Sequence, residues 1–362
     1  MSSKLKPVLS HDQKYRGHLH PGKWTLCVGA GISKGIAPDW IEFCRLVVND
    51  AFGMSLTDTD FSEIVQKQGW TLDSWIQAAA NHYLLVGKSS ADFIKLIEAN
   101  LYFKIRKKAE GLGLEKYLTQ VLNHPRSAPK QSIIEVCNFI EDAFPDCSLI
   151  QVGQFLIRAA KAGKPPAAVL TFNADTFLET YIDLHLRREH YLGPGPHAHP
   201  TYYFNPITHP TRTGNDKTPI IHCHGAIAPQ FTEDKKPYDS RHRLIFLEDE
   251  YLTTSSNRSS WPATVFQYHA NSTRMAFLGM SMSDPNIRRW MRGLKQEKDK
   301  DSAIHNDSQK KVNPEHIWIR PKPSSKPVEE LFLVANLHLD VRPAWIKSWM
   351  HLEDGLNNLA SI

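Results

Sequence analysis

Trp24-Thr25-Leu26-Cys27-Val28-Gly29-Ala30-Gly31-Ile32-Ser33 is the stretch whose reading decides the fold. Trp24 to Val28 carries no charge and runs straight into Gly29-Ala30-Gly31. A short run of this kind reads as a strand buried on both faces, as in a parallel sheet, that enters a tight turn. After Pro38, Asp39–Asn49 has helical spacing, with Ile41, Leu46 and Val48 as apolar positions and Asp39 as a cap. Strand, glycine turn and helix in succession form the opening unit of an α/β chain.

Working outward, the same texture returns at Ala167–Thr171, an apolar run followed by a loop at Phe172–Asp175 and a helix from Thr176 to about Arg187. Further strands are expected at Pro219–Cys223, Arg243–Leu247, Arg274–Leu278, Glu315–Arg320 and Leu337–Val341. Helices are expected at Trp261–Ala270, Pro285–Lys295, Pro327–Ala335 and Pro343–Leu352. This alternation predicts an α/β fold, a Rossmann-like parallel sheet with helices on both faces. From about Met54 to Gly163 the segments are helix-compatible and strand signals are scarce. The expected organisation is an arm at 1–22, a discontinuous α/β domain at 23–53 and 164–362, and a mostly helical insertion at 54–163. His190–Lys217, rich in Pro, Gly, His and Thr, reads as a long loop. Glu297–Asn313, charged and polar, reads as an exposed loop.

The composition sets limits. The 362 residues are 41% hydrophobic and 22% charged, the balance of a globular protein. Lys plus Arg total 43 against 38 acids, a net charge of +5 that suits an anionic ligand but does not by itself argue for nucleic acid. Cys27, Cys44, Cys137, Cys147 and Cys223 form no C-x-x-C pair, which argues against a structural zinc site and a disulfide framework. The polar N-terminal segment has no apolar signal core, and no apolar run is long enough to span a bilayer. A reducing cytoplasm and no membrane association are the expectation.

Four segments carry chemistry. Gly29-Ala30-Gly31-Ile32-Ser33 follows a strand and precedes a helix, so its glycines and free N–H groups can receive a pyrophosphate, although an ordinary tight turn reads equally well. Asn173 and Asp175 sit where the next strand ends. The amide of Asn173 suits a ribose hydroxyl or a water, and helix capping suits Asp175 better than Asn173. His222-Cys223-His224-Gly225 closes a third strand and presents His224 to the same cleft as a group able to act as a base near neutral pH. His222 lies two residues back on the same face, as a partner or a core residue. A metal site built from histidines with His197 and His199 is disfavoured, and no metal is expected. Gly279-Met280-Ser281-Met282-Ser283-Asp284-Pro285 ends a fourth strand. Gly279 permits close approach, Ser281 can donate to a phosphate or ribose, and Asp284 suits a ligand and an N-cap equally.

Taken in order, these segments resemble the sirtuin superfamily. Gly29-Ala30-Gly31-Ile32-Ser33 resembles its G-A-G-x-S nucleotide loop, and Pro38-Asp39-Trp40 resembles the P-D-F that follows. Asn173 and Asp175 match N-x-D, His224-Gly225 matches the H-G element with the catalytic histidine, and Gly279 with Ser281 matches the late G-x-S. The resemblance leaves the helical insertion unexplained. Deacylases of the superfamily usually carry a zinc ribbon of two C-x-x-C pairs, absent here. They usually have Gln where Phe172 stands, and no Arg follows Trp40 directly. The long gap between Asn173 and His224 and the G-x-S-x-x-D-P form are more similar to bacterial antiphage-defence sirtuin-like proteins, which degrade NAD when infection is sensed.

That resemblance implies an NAD glycohydrolase that takes NAD as substrate, without a metal, and yields ADP-ribose and nicotinamide. Asn173 and His224 would be catalytic. Gly29, Ala30, Gly31, Ser33, Asp39, Trp40, Asp175, Gly279, Ser281 and Asp284 would bind NAD. It also implies a homo-oligomer and a HerA-type hexameric ATPase as partner. Two other readings stand beside it: an NAD-dependent protein deacylase or ADP-ribosyltransferase, which the missing zinc ribbon disfavours, and a non-catalytic nucleotide-sensing or assembly module, which the helical insertion favours.

Overall fold

The computed structural model of the chain describes residues 8–9, 17–193, 201–210, 216–229, 244–257, 259–304 and 314–362. Eight parallel strands form one sheet among these residues: β1 (Val8–Leu9), β2 (Trp24–Val28), β3 (Ala168–Thr171), β4 (Phe204–Ile207), β5 (Thr218–His222), β6 (Arg274–Leu278), β7 (His316–Pro321) and β8 (Val341–Ile346). Their spatial order is β1-β8-β7-β6-β2-β3-β5-β4. The α/β, Rossmann-like expectation is therefore met.

All five residues of β2 are buried, because it runs through the middle of the sheet with helices on both sides. Its side chains alternate between the faces. Trp24, Leu26 and Val28 join the larger core, which includes Phe155, Val47 and Tyr102, whereas Cys27 joins a second core with Phe266, Phe277 and Met291. Trp24 meets Phe155 of the helix Ser148–Lys161 with ring centroids 6.0 Å apart. The helical block from Asp58 to Lys161 thus packs into the same core as the sheet, and among the described residues it contains no strand.

The chain leaves β2 for β3 on one side, and later returns to β6 on the other side. This reversal makes β2 the point where neighbouring loops diverge and open a crevice at the carboxyl ends of the strands. The register sharpens it: Val28 lies opposite Thr171 of β3 and Leu278 of β6, and Thr171 lies opposite His222 of β5. Four strands end at one level, so the loops after Val28, Thr171, His222 and Leu278 converge.

Several boundaries differ from the sequence reading. Residues 244–247 of the expected strand Arg243–Leu247 are irregular, and a helix follows at Glu248–Ser256; Arg243 lies outside the described residues. Ile245 makes a backbone bond to the His224 carbonyl (3.1 Å), while Leu244 and Phe246 are buried in the core. Burial alone explains their apolar character. Conversely, Phe204–Ile207 pairs with β5 as an edge strand inside the segment read as a loop; Pro206 is tolerated because an edge strand leaves one side of its ladder open. The polar stretch expected to form an exposed loop instead continues the helix Pro285–Ile304, and residues 305–313 lie outside the described residues. Val341–Ile346 is a fully buried strand where Pro343 suggested a helix start, and the final helix is Leu352–Ala360. Residues 8–9 of the N-terminal segment pair with Ala344 and Trp345 of β8.

Candidate active site

A cleft of about 580 Å³ opens over the carboxyl ends of β2, β3, β5 and β6. That volume falls within the roughly 300–1,000 Å³ of small-molecule sites. Gly29, Ala30, Gly31, Ser33, Asp39, Trp40, Asn173, Asp175, His224, Gly279, Ser281 and Asp284 all line it. Every position assigned a catalytic or NAD-binding role in the sequence therefore shares one cavity. His197 and His199 lie outside the described residues.

The floor is a dovetail of two loops. The N–H of Gly29 donates to the Leu278 carbonyl (3.1 Å), and that of Gly31 donates to the Gly279 carbonyl (2.9 Å). A Cβ on Gly31 would lie 2.7 Å from the Gly279 oxygen and 2.9 Å from its Cα. Gly279 has φ +65°, which glycine adopts without strain. These glycines are needed for loop-against-loop packing, the tight-turn role that the sequence also offers.

Ser33, Asn173 and Asp175 form a chain across the β2 and β3 loops. Asn173 Nδ2 donates to Ser33 Oγ (3.3 Å), and Ser33 Oγ donates to Asp175 Oδ1 (3.4 Å). The Asn173 N–H donates to Thr171 Oγ1 (3.1 Å). Asp175 Oδ1 also accepts the Phe177 N–H (3.1 Å) at the start of the helix Phe177–Leu192. Burial raises the Asp175 carboxyl to about 6, against the pull of the Phe177 N–H. Asn173 Oδ1 is buried and has no partner among the described residues.

His224 is 4% exposed. Phe172 meets it edge-on at 4.8 Å between centroids, and Tyr251 does so at 5.3 Å, with the Tyr251 hydroxyl 3.5 Å from Nδ1. Its Nε2 is buried and unpartnered among the described residues. Burial lowers its pKa to about 4, so the imidazole is neutral near pH 7. An orphaned buried polar atom normally costs about 1–3 kcal/mol. Both residues line one cleft, and buried polar atoms left open in this way suit a polar ligand.

His222 plays a different part. Its Nε2 lies 2.9 Å from Glu179 Oε1 and its Nδ1 lies 3.4 Å from the Asn173 carbonyl. Burial opposes its charge, but the Glu179 carboxylate outweighs burial and holds its pKa above the ordinary value. Its Nε2–H donates to the Glu179 carboxylate, and a proton on Nδ1 would likewise donate to the Asn173 carbonyl, so the ring fixes the backbone of Asn173.

Asp39 and Asp284 are committed to helix starts. Asp39 Oδ1 accepts the Glu42 N–H (3.1 Å), and Lys34 pairs with Asp39 Oδ2 (3.4 Å). Burial works against the Asp39 charge, and those two contacts overcome it and lower its pKa. Asp284 Oδ1 accepts from Asn286 (2.8 Å) and Ile287 (3.0 Å). Ser281 and Ser283 share a 2.5 Å hydroxyl contact, and Trp40 stacks on Phe43 (5.5 Å) and Phe246 (5.8 Å).

Sequence reasoning did not find Thr71, Asp73 or Leu101 of the helical block, nor Phe246 and Tyr251, which also line the cleft. No local pattern marks them; they arrive through long-range packing. The block also reaches the site from below. The Tyr102 hydroxyl donates to the Ile227 carbonyl (2.6 Å) and accepts the Thr176 N–H (3.0 Å), which ties the loops after β3 and β5 together.

Two groups among the described residues have metal-ligand spacing, Cys137–Glu141–His185 and Glu315–His316–Asp340, and neither shares a residue with the cleft. Arg188 already engages Glu141 (2.7 Å), and Lys298 bridges Glu315 (2.6 Å) and Asp340 (3.3 Å), so a protein cation occupies each place. No helix among the described residues is long and apolar enough to cross a membrane.

With this geometry in view, residues 167–341 match the family model of the SIR2-like domain. The match takes in β3 through β7 with Asn173, Asp175, His224, Gly279, Ser281 and Asp284, and it begins after β2 and the helical block. It supports the sirtuin-like resemblance and NAD-related enzyme chemistry. No curated protein matches the chain.

Proposed function

We propose that this chain is an NAD glycohydrolase that cleaves NAD with water to ADP-ribose and nicotinamide. The observation that carries the reading is the pair of buried, unpartnered atoms, Asn173 Oδ1 and His224 Nε2, in one cleft with the glycine loops. A water needs such acceptors. Asn173 Oδ1 holds it and His224 Nε2, neutral near pH 7, takes up its proton as the oxygen bonds to the ribose carbon. The bond from that carbon to nicotinamide breaks, and nicotinamide leaves as a neutral molecule without needing an acid. A base lowered to about 4 is weak, so orientation by Phe172 and Tyr251 and the electrostatics of the cleft supply most of the rate. The pyrophosphate lies over the Gly29–Ser33 and Gly279–Ser281 loops.

The test follows nicotinamide and ADP-ribose from purified protein given NAD. We expect release by the parent chain and a loss of about 10²–10⁴-fold in His224→Ala and in Asn173→Ala, with unchanged thermal melting. Full activity in both variants would overturn the assignment. We carry the antiphage role, homo-oligomer and HerA-type ATPase partner as part of the same proposal. Co-expression with such an ATPase, followed by co-purification and the same assay, tests them together.

A further inference from the structure

Four carboxylates line the cleft, Asp39, Asp73, Asp175 and Asp284, and no Lys or Arg does so among the described residues. Three are spent on helix starts. Asp73 is not: it makes no hydrogen bond or ion pair with a described residue, and it is half-buried in the first turn of the helix Leu72–Leu85, within the helical block. Packing places it. Its helix packs against the helix Glu248–Ser256, where the Asp249 N–H donates to Gln77 Oε1 (3.4 Å), and Tyr251 of that helix holds its hydroxyl 3.5 Å from His224 Nδ1. Asp73 therefore lines the cavity on the side that Tyr251 and His224 share. An independent observation marks that side for a ligand, the buried and unpartnered His224 Nε2.

We propose that Asp73, with Asp284, selects the substrate by charge, favouring the positively charged pyridinium ring of oxidised NAD over the neutral ring of its reduced form. This rests on the NAD reading above. A cleft lined by one sign of charge with low-dielectric walls concentrates its field. A unit charge at several ångströms in partly buried surroundings changes affinity by about tenfold. Burial and the charges of Asp284 and Glu248 raise the Asp73 carboxyl to about 6, so it remains ionised at neutral pH. The helical block thereby supplies specificity to a cleft that the sheet alone would build.

The experiment titrates the full chain carrying His224→Ala, which slows turnover by at least about a hundredfold, with NAD, NADH and ADP-ribose at mildly alkaline pH, by calorimetry. The expected result is NAD bound about tenfold more tightly than NADH. Adding Asp73→Asn should shrink that ratio to about two- or threefold with ADP-ribose affinity unchanged, and Asp73→Glu should restore it. Equal affinity for NAD and NADH, an unaltered ratio in Asp73→Asn, or equal weakening of all three ligands (a contact to ribose hydroxyls) would each overturn the selection. Binding of none of the three by the folded protein would instead remove the NAD reading itself.

Discussion

At the scale of single residues, the site divides between groups that face the cavity and groups that hold them. Asn173 and His224 keep free atoms for a ligand, while His222, two residues before His224, is wholly committed to Glu179 and the Asn173 carbonyl. His222 is the last residue of β5 and His224 lies two beyond it, and burial lowers one pKa while Glu179 raises the other. His222 and Glu179 form a buried pair with side chains 0% and 4% exposed. Glu179→Ala would leave a buried, unpaired charge or force His222 neutral, at a cost of about 3–5 kcal/mol. Chemical denaturation should record that loss; a change under about 1 kcal/mol would mean that the pair carries no charge.

At the scale of elements, the glycine loops show how a motif can serve two ends. Gly31 is required by the approach of Gly279, whose carbonyl it also binds. Gly31→Ala must push the two loops apart, and overpacking of this kind costs about 1–3 kcal/mol. We expect a lower denaturation midpoint together with weaker NAD binding, because the loops that separate are those assigned to the pyrophosphate. A variant as stable as the parent would place the strain elsewhere. The helical block is an element of the site as well: Tyr102 secures the loops after β3 and β5, and Asp73 and Thr71 line the cleft.

At the scale of the whole molecule, buried histidines set the response to acid. His18, His224, His269 and His316 are lowered to about 3, 4, 4 and 3, each chiefly by burial. In the unfolded chain they take protons near the ordinary value of about 6.5. As pH falls from about 6.5 towards 4, the unfolded state therefore binds more protons and stability drops. Asp73 and Asp175, raised to about 6, act the other way, because the folded state takes their protons first. His222, raised, adds stability that is present below its unfolded value and lost as pH rises through its folded one. Four histidines lowered far below their ordinary value outweigh the raised carboxyls, Asp183 and Glu250 among them, so the melting temperature should be lower at pH 5 than at pH 7. An equal or higher value at pH 5 would contradict it.

The sequence by itself determined the sheet's central strands and the loops that follow them. Trp24–Val28, Ala168–Thr171, Thr218–His222 and Arg274–Leu278 are short apolar runs closed by Gly, Asn, His or Ser, and a strand buried on both faces leaves that local mark. Asn173, His224, Asp284 and the glycines were legible because each follows such a strand. The tertiary structure decided what no window of sequence contains. It set the register that ends four strands at one level and gave β4 an edge despite Pro206. It kept residues 244–247 out of the sheet, buried Val341–Ile346 as a strand past Pro343, brought Asp73 and Tyr251 to the cleft, and set Tyr102 against the loops after β3 and β5. Strand and turn propensities act over a few residues, whereas burial and hydrogen-bond partners are chosen among segments a hundred or more residues apart, as Ser33 and Asp175 are.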